Sequence, residues 1–167
     1  CMPAERIAEH HGLDAASRLS FEQIEALVRG FARLGVRKLR LTGGEPLLRK
    51  RLPELVARLA RIDGIDDLAL TTNGSLLAAQ AQALRDAGLR RITVSLDTLD
   101  AGLFRALSGG RGELRDTLAG IEAAQAAGIA AVKLNCVVQR GVNDAGIEAL
   151  AAFAREHGHL LRFIEYM

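Results

Sequence analysis

The chain has 167 residues, of which 49% are hydrophobic and 25% charged, and its formal net charge is +2. This length and balance suit one globular domain that buries a core, and they exclude a disordered or low-complexity segment. The basic runs Arg37-Lys38 and Arg49-Lys50-Arg51 are short and scattered, so no nucleic-acid footprint is expected, whereas small acidic ligands remain open.

No stretch approaches the roughly 18 uninterrupted apolar residues that a membrane helix needs. No signal peptide opens the chain, so a cytoplasmic protein without membrane contact is the expectation. Cys1 and Cys136 stand far apart and give neither a disulfide framework nor the paired spacing of a zinc site.

The first helix begins after Ser20, which can cap it; Gln23 completes a capping box, and Phe21, Ile24, Val28 and Phe31 recur at helical spacing. A strand is expected from Arg37 to Thr42, followed by a helix over 53–62 carrying Leu55, Val56, Leu59 and Ile62. Strands over Asp67–Asn73, Arg90–Asp97, Ala131–Val138 and Leu160–Met167 alternate with helices over 76–87, 101–107, 113–127 and 144–157. Gly88, Gly128 and Gly158 are placed to end three of the helices. Strands separated by helices imply right-handed βαβ units and a parallel sheet, with no linker dividing residues 1–167 into separate domains.

Five strands cannot close an eight-stranded barrel, so the choice lies between an open doubly wound sheet and part of a barrel. Side-chain alternation favours the barrel. Leu39 and Leu41 oppose Arg40 and Thr42; Leu68 and Leu70 oppose Thr71 and Asn73; Ile92, Val94 and Leu96 oppose Thr93, Ser95 and Asp97; Val132, Leu134, Cys136 and Val138 oppose Lys133 and Asn135. Helices on both faces would require apolar residues on both, whereas a partial (βα) TIM-type barrel with outer helices can keep a polar interior. That polar face could hold an internal salt-bridge network, or a ligand near the strand C-terminal ends. Cys136 belongs to the apolar alternation and reads as a buried small hydrophobe. His10, His11, His157 and His159 fall in loops or at helix ends and are expected to be solvated, with no catalytic histidine proposed.

The second half of the first strand runs into Thr42-Gly43-Gly44-Glu45-Pro46. By itself such a turn can be simply a tight strand-to-helix connection, or a place where backbone approaches a ligand. Together, the stretches Lys38–Arg49 around Gly-Gly-Glu-Pro, Leu70-Thr-Thr-Asn-Gly74, Val94-Ser-Leu-Asp97, Arg140-Gly-Val-Asn-Asp144 and Phe163-Ile-Glu-Tyr-Met167 resemble the GTP 3',8-cyclase family of radical S-adenosylmethionine (SAM) enzymes. The opening Cys1-Met2-Pro3 resembles the end of that family's cluster loop, Cys-x-x-x-Cys-x-x-Cys followed by Met-Pro.

The resemblance implies a radical SAM core domain over 1–167 that lacks its first barrel strand, with Cys1 as the third ligand of a 4Fe-4S cluster whose fourth iron binds SAM. It implies that Gly44, Ser95 and Met167 contact SAM, with Thr42, Gly43, Glu45, Asn73 and Asp97 shaping that end of the site. Met167, as an apolar residue at a strand end, could instead be core packing. Arg40, Thr71 and Lys133 would hold GTP, although the two cations could pair with carboxylates such as Asp97. The implied chemistry is abstraction of the GTP C3' hydrogen by a radical derived from SAM, so that C3' can attack C8 of guanine in the first step of molybdenum cofactor biosynthesis.

A reductant protein such as flavodoxin or ferredoxin would supply electrons, and the product would pass to cyclic pyranopterin monophosphate synthase. A homodimer is one open assembly state. The other cluster cysteines and the family's C-terminal second cluster are not in the sequence, so this polypeptide by itself is expected to hold no complete cluster and to catalyse nothing. Two other readings stay open: a different radical SAM enzyme acting on a peptide or nucleotide, and a non-catalytic nucleotide-binding βα domain.

Overall fold

The computed structural model describes residues 18–110, 112–129 and 131–167. Cys1, His10 and His11 lie outside these residues. Helix α1 (Phe21–Arg33) opens with the capping box expected from sequence: the Ser20 hydroxyl accepts the Gln23 N–H at 3.2 Å, and the Gln23 side chain accepts the Ser20 N–H at 2.8 Å. Strand β1 (Lys38–Leu41) leads through a 3-10 turn (Pro46–Leu48) to α2 (Leu52–Ala60). Helix α2 buries Leu52, Leu55, Val56 and Leu59 against the sheet. Each such side chain contributes about 1.5–3 kcal/mol when removed from water.

Strand β2 (Asp67–Thr72), α3 (Ala81–Asp86), β3 (Arg91–Ser95), α4 (Ala101–Leu107) and α5 (Leu114–Ala126) follow. Then come β4 (Ala131–Val138), a 3-10 turn (Asp144–Gly146), α6 (Ile147–Glu156) and β5 (Leu160–Glu165). Gly88, Gly128 and Gly158 take positive φ beyond α3, α5 and α6, in the helix-ending role their positions suggested.

The expected helix over 76–87 is shorter than its apolar pattern. Residues after β2 first form turns, with the Leu77 N–H donating to the Gly74 carbonyl and Ala81 to Leu77, before α3 begins. Two contacts impose this path: Gly74 passes directly against Gly120 of α5, and the Gln80 amide donates to the Leu47 carbonyl at 3.1 Å. The fifth strand also ends early, at Glu165, leaving Tyr166 and Met167 beyond it.

The strands form one parallel sheet in the order β1-β2-β3-β4-β5. Spatial order equal to chain order, without reversal, means that successive right-handed crossovers place their helices on the same side. This is the partial barrel, not the doubly wound sheet. Leu68, Leu70, Ile92, Val94, Val132, Leu134 and Cys136 point from the sheet into one core shared with Val56, Leu59, Leu84, Ile121 and Leu150 of the helices. The opposite face of the strands carries the polar series. Among the described residues no helix is long and apolar enough to cross a membrane.

Candidate functional site

Partner residues across a parallel ladder share a face, so the register places Thr71 beside Thr93, Thr93 beside Lys133, Ser95 beside Asn135, and Asn135 beside Arg162. Arg40 reaches across from β1 and donates to both the Thr71 and Thr93 hydroxyls at 3.0 Å. One guanidinium therefore spans three strands at the middle of the polar face.

Arg40, Lys133 and Arg162 make no ion pair among the described residues. The alternative that Arg40 and Lys133 pair with a carboxylate on this face is thus not realised there. Arg91, lower on the same face, is held by Asp67. Desolvation lowers the Lys133 pKa below that of an ordinary lysine, and the charges of Arg162, Arg40 and Arg91 push in the same direction. The middle of the face is a local excess of positive charge, the electrostatic complement of an anion.

Above it, at the C-terminal end of the strands, lies the loop 42–46. Gly43 has φ of 149°, which disfavours any residue with a Cβ. Gly44 differs: its φ is not in the left-handed region, and a Cβ built on it would meet no atom within 4 Å. Nothing in the packing of the described residues requires glycine at 44, which leaves an open stretch of backbone among them.

Glu45 fastens this loop. Its carboxylate accepts the Leu47 N–H at 3.0 Å, the Thr72 hydroxyl at 2.7 Å and the Asn73 N–H at 2.8 Å. Thr72 is buried, on the face opposite the polar one, and its hydroxyl oxygen accepts the Gly74 N–H at 3.0 Å. Asn73 turns its own side chain onto Ser75, accepting from the Ser75 N–H and hydroxyl, while its carbonyl accepts the Thr117 hydroxyl.

At the ends of β3 and β4, the Asp97 carboxylate accepts the Val137 N–H at 2.7 Å. The Asp97 carbonyl accepts the Asn143 amide at 2.8 Å. Burial raises the Asp97 pKa above that of an ordinary aspartate, and the Val137 N–H offsets part of this rise. Cys136 is buried as expected; desolvation and then the Asp97 charge push its thiol up to about 11.

The structure thus brings Arg40, Thr71 and Lys133 together at mid-strand, and Thr42, Gly43, Gly44, Glu45, Asn73, Ser95 and Asp97 around the strand ends. Met167 is exposed beyond β5. Cys1 is outside the described residues. His159 corrects the expectation of solvated histidines: its Nε2 is buried without a hydrogen-bond partner among the described residues, beside the Phe153 ring at 5.9 Å. Desolvation and then the neighbouring His157 lower its pKa.

Three residues of the polar face were missed as site candidates. Thr93 and Asn135 belonged to the alternation but to no motif, and the Asn135 Oδ1 is buried with no partner among the described residues. Arg162 was concealed because Leu160, Leu161, Phe163 and Ile164 around it show no two-residue period.

The family model described as the Radical SAM superfamily matches residues 1–154. The GTP 3',8-cyclase of Xanthomonas campestris pv. campestris is 64% identical over 167 residues, covering 100% of this chain and 49% of that protein. The GTP 3',8-cyclase of Acidothermus cellulolyticus is 57% identical over 168 residues, covering 100% of this chain and 46% of that protein. The chain therefore spans about half the length of the curated relatives it matches.

Among solved structures, Streptococcus suis SuiB superposes with a TM-score of 0.77 at 20% identity, covering 92% of this chain and 35% of that one. The protein anSMEcpe, solved with bound AdoMet, gives 0.72 at 18% identity, covering 87% of this chain and 42% of that one. Identities this low carry the fold alone. The alternating βα order, the polar face ending in Gly-Gly-Glu-Pro and the family match over residues 1–154 agree: the chain belongs to the radical SAM superfamily.

Proposed function

We propose that the full-length protein containing this chain is a GTP 3',8-cyclase, converting GTP to (8S)-3',8-cyclo-7,8-dihydroguanosine 5'-triphosphate in the first step of molybdenum cofactor biosynthesis. Residues 1–167 would form its radical SAM core domain. The observation that carries the proposal is the group of cations on the polar face, Arg40, Lys133 and Arg162, without an ion-pair partner among the described residues and set below the strand ends. A triphosphate supplies the charge this face lacks. The similarity to proteins named GTP 3',8-cyclase supports the same choice.

The residues suit the cofactors such a reaction needs. Gly44 offers open backbone, and Asn135 presents an acceptor oxygen with no partner among the described residues. Ser95, Asp97 and Met167 stand around the same end, so a ligand with an ammonium group, a carboxylate and hydroxyls, as in SAM, would find both donors and acceptors there. Cys1 as a ligand of the 4Fe-4S cluster rests on the resemblance of Cys1-Met2-Pro3; among the described residues no group of histidine, cysteine and carboxylate side chains could hold a metal. When bound, cluster and SAM would together supply the hydrogen-abstracting chemistry directed at C3' of GTP.

The chain's own work is positioning. Arg40 and Lys133 neutralise the phosphates, and Thr71 and Thr93 fix the Arg40 guanidinium. A small electron-transfer protein such as flavodoxin or ferredoxin would reduce the cluster, and cyclic pyranopterin monophosphate synthase would take the product. The proposed setting is the cytoplasm, and a homodimer is compatible with the reading.

The test uses reconstituted, reduced full-length protein with SAM and GTP deuterated at C3'. The 5'-deoxyadenosine released should carry one deuterium. Unlabelled 5'-deoxyadenosine, or deuterium arriving only from labelled peptide or another nucleotide, would overturn the assignment.

A further inference from the structure

Asn143 belongs to the Arg140-Gly-Val-Asn-Asp144 stretch, for which the reading above provides no role. Its side chain is 4% exposed. The amide Nδ2 donates to the Asp97 carbonyl at 2.8 Å and to the Val137 carbonyl at 2.9 Å. The Oδ1 accepts the Gln139 N–H at 2.7 Å. These three bonds use both amide hydrogens and the oxygen within one short span.

The elements joined are distinct. Asp97 follows β3, Val137 lies near the end of β4, and Gln139 begins the loop that returns to Asn143 itself. Beyond Ser95 the β3–β4 ladder loses its regular pairing, because Asn135 is the last residue of β4 registered against β3. The Leu96 N–H still donates to the Asn135 carbonyl, and the Asp97 carboxylate then takes the Val137 N–H that no longer has a strand partner there. Asn143 supplies the next fastening, holding the backbone of Asp97 from behind.

Only an amide at this position can donate twice and accept once with so short a stem. Aspartate has the same shape but no donor, and would set a carboxylate against two carbonyl oxygens.

We infer that Asn143 is a positioning residue: its side chain locks the segment Ser95-Leu96-Asp97 to the end of β4 and so sets the geometry of the strand-end subsite for SAM, leaving the mid-strand anion subsite untouched. The inference rests on the proposed function for the identity of the two ligands. The separation has a structural basis. Arg40, Thr71, Thr93 and Lys133 are tied to one another inside the regular ladder, one layer below the end that Asn143 holds. Loss of the clamp therefore loosens the Ser95–Asp97 backbone without disturbing the cations.

The experiment measures SAM and GTP affinities separately, by equilibrium dialysis, on full-length reconstituted protein. Asn143→Asp and Asn143→Ser should weaken SAM binding about tenfold, the loss of roughly one well-made hydrogen bond's positioning, and change GTP binding less than about twofold. Leu150→Ala, a core change in α6 that removes none of these bonds, provides a generally destabilised variant and should leave the ratio of the two affinities unchanged. Equal losses for both ligands, no loss for SAM, or the same ratio change in Leu150→Ala would overturn the inference.

A second measurement needs no substitution. In the unaltered protein, saturating SAM should slow hydrogen exchange at the Val137 and Gln139 amides, and GTP alone should not. Unchanged exchange at both amides with SAM bound would contradict the inference even where the variants fail to fold. Failure of the unaltered protein to bind SAM or GTP would count against the proposed function instead.

Discussion

The Glu45 carboxylate accepts the Thr72 hydroxyl at 2.7 Å, joining a loop that leaves β1 to a buried side chain near the end of β2. The same carboxylate takes the Asn73 and Leu47 N–H groups, so three donors depend on one residue. Glu45→Ala leaves the buried Thr72 hydroxyl and these N–H groups short of partners and should lower unfolding free energy by about 2–4 kcal/mol in urea titrations. Glu45→Gln keeps one acceptor oxygen and should lose less. Loss below about 0.5 kcal/mol for the alanine variant would mean that water replaces the carboxylate at no cost.

Two glycines make a contrasting pair. At Gly120 an added Cβ would lie 2.4 Å from the Gly74 carbonyl oxygen and 2.9 Å from the Leu77 Cβ. Gly120→Ala must push α5 from the β2 end and should lower the melting temperature by several degrees, corresponding to about 1–3 kcal/mol of overpacking. Gly44→Ala meets no atom of the described residues within 4 Å and should melt within about a degree of the parent protein. Its predicted effect is on SAM binding alone, measured by dialysis. A Gly44→Ala variant that unfolds early, or one that binds SAM normally, would remove the reason for assigning that backbone to a ligand.

Asp97 gives a pH-dependent expectation. Its pKa is raised in the folded state by burial, so folding favours the protonated carboxyl. The associated stabilisation is fully present below the unfolded aspartate value of about 4 and is lost as pH rises through the higher folded value. Asp97→Asn removes this dependence while its side-chain oxygen can still accept the Val137 N–H. The variant's melting temperature relative to the parent should therefore climb from acidic to neutral pH. A constant offset, or one that grows toward acid, would contradict the sign of the shift.

The Cys136 thiol, buried and pushed up to about 11, is neutral near pH 7. Iodoacetamide should modify it only after denaturation, as read by peptide mass. Rapid alkylation in the folded protein would mean that the β4 end opens readily.

Much of the fold was legible because it depends on local and periodic signals. Ser20 and Gln23 mark a helix start by their spacing, and the alternation of Thr71, Thr93, Ser95 and Lys133 with Leu70, Val94 and Leu134 separates the two faces of the sheet. The partners of Glu45 were not legible, since Thr72 and Asn73 are distant in sequence and the register alone brings them close. Asn143 was hidden for the same reason: an asparagine in a polar loop reads as a turn residue until two strand ends are found around its amide. His159 shows the opposite error, where a helix-end position suggested solvent but the Phe153 ring packs beside the imidazole.

The central claim is that the cations of the polar face bind a triphosphate. Its most direct test is the GTP dissociation constant of full-length Lys133→Gln against that of the unaltered protein, with Arg115→Gln on the exposed side of α5 as the comparison. Removing one charge-assisted contact should weaken GTP about tenfold in Lys133→Gln and leave Arg115→Gln within about twofold. Equal affinity in all three proteins would contradict the account, because the triphosphate would then be held somewhere other than this face.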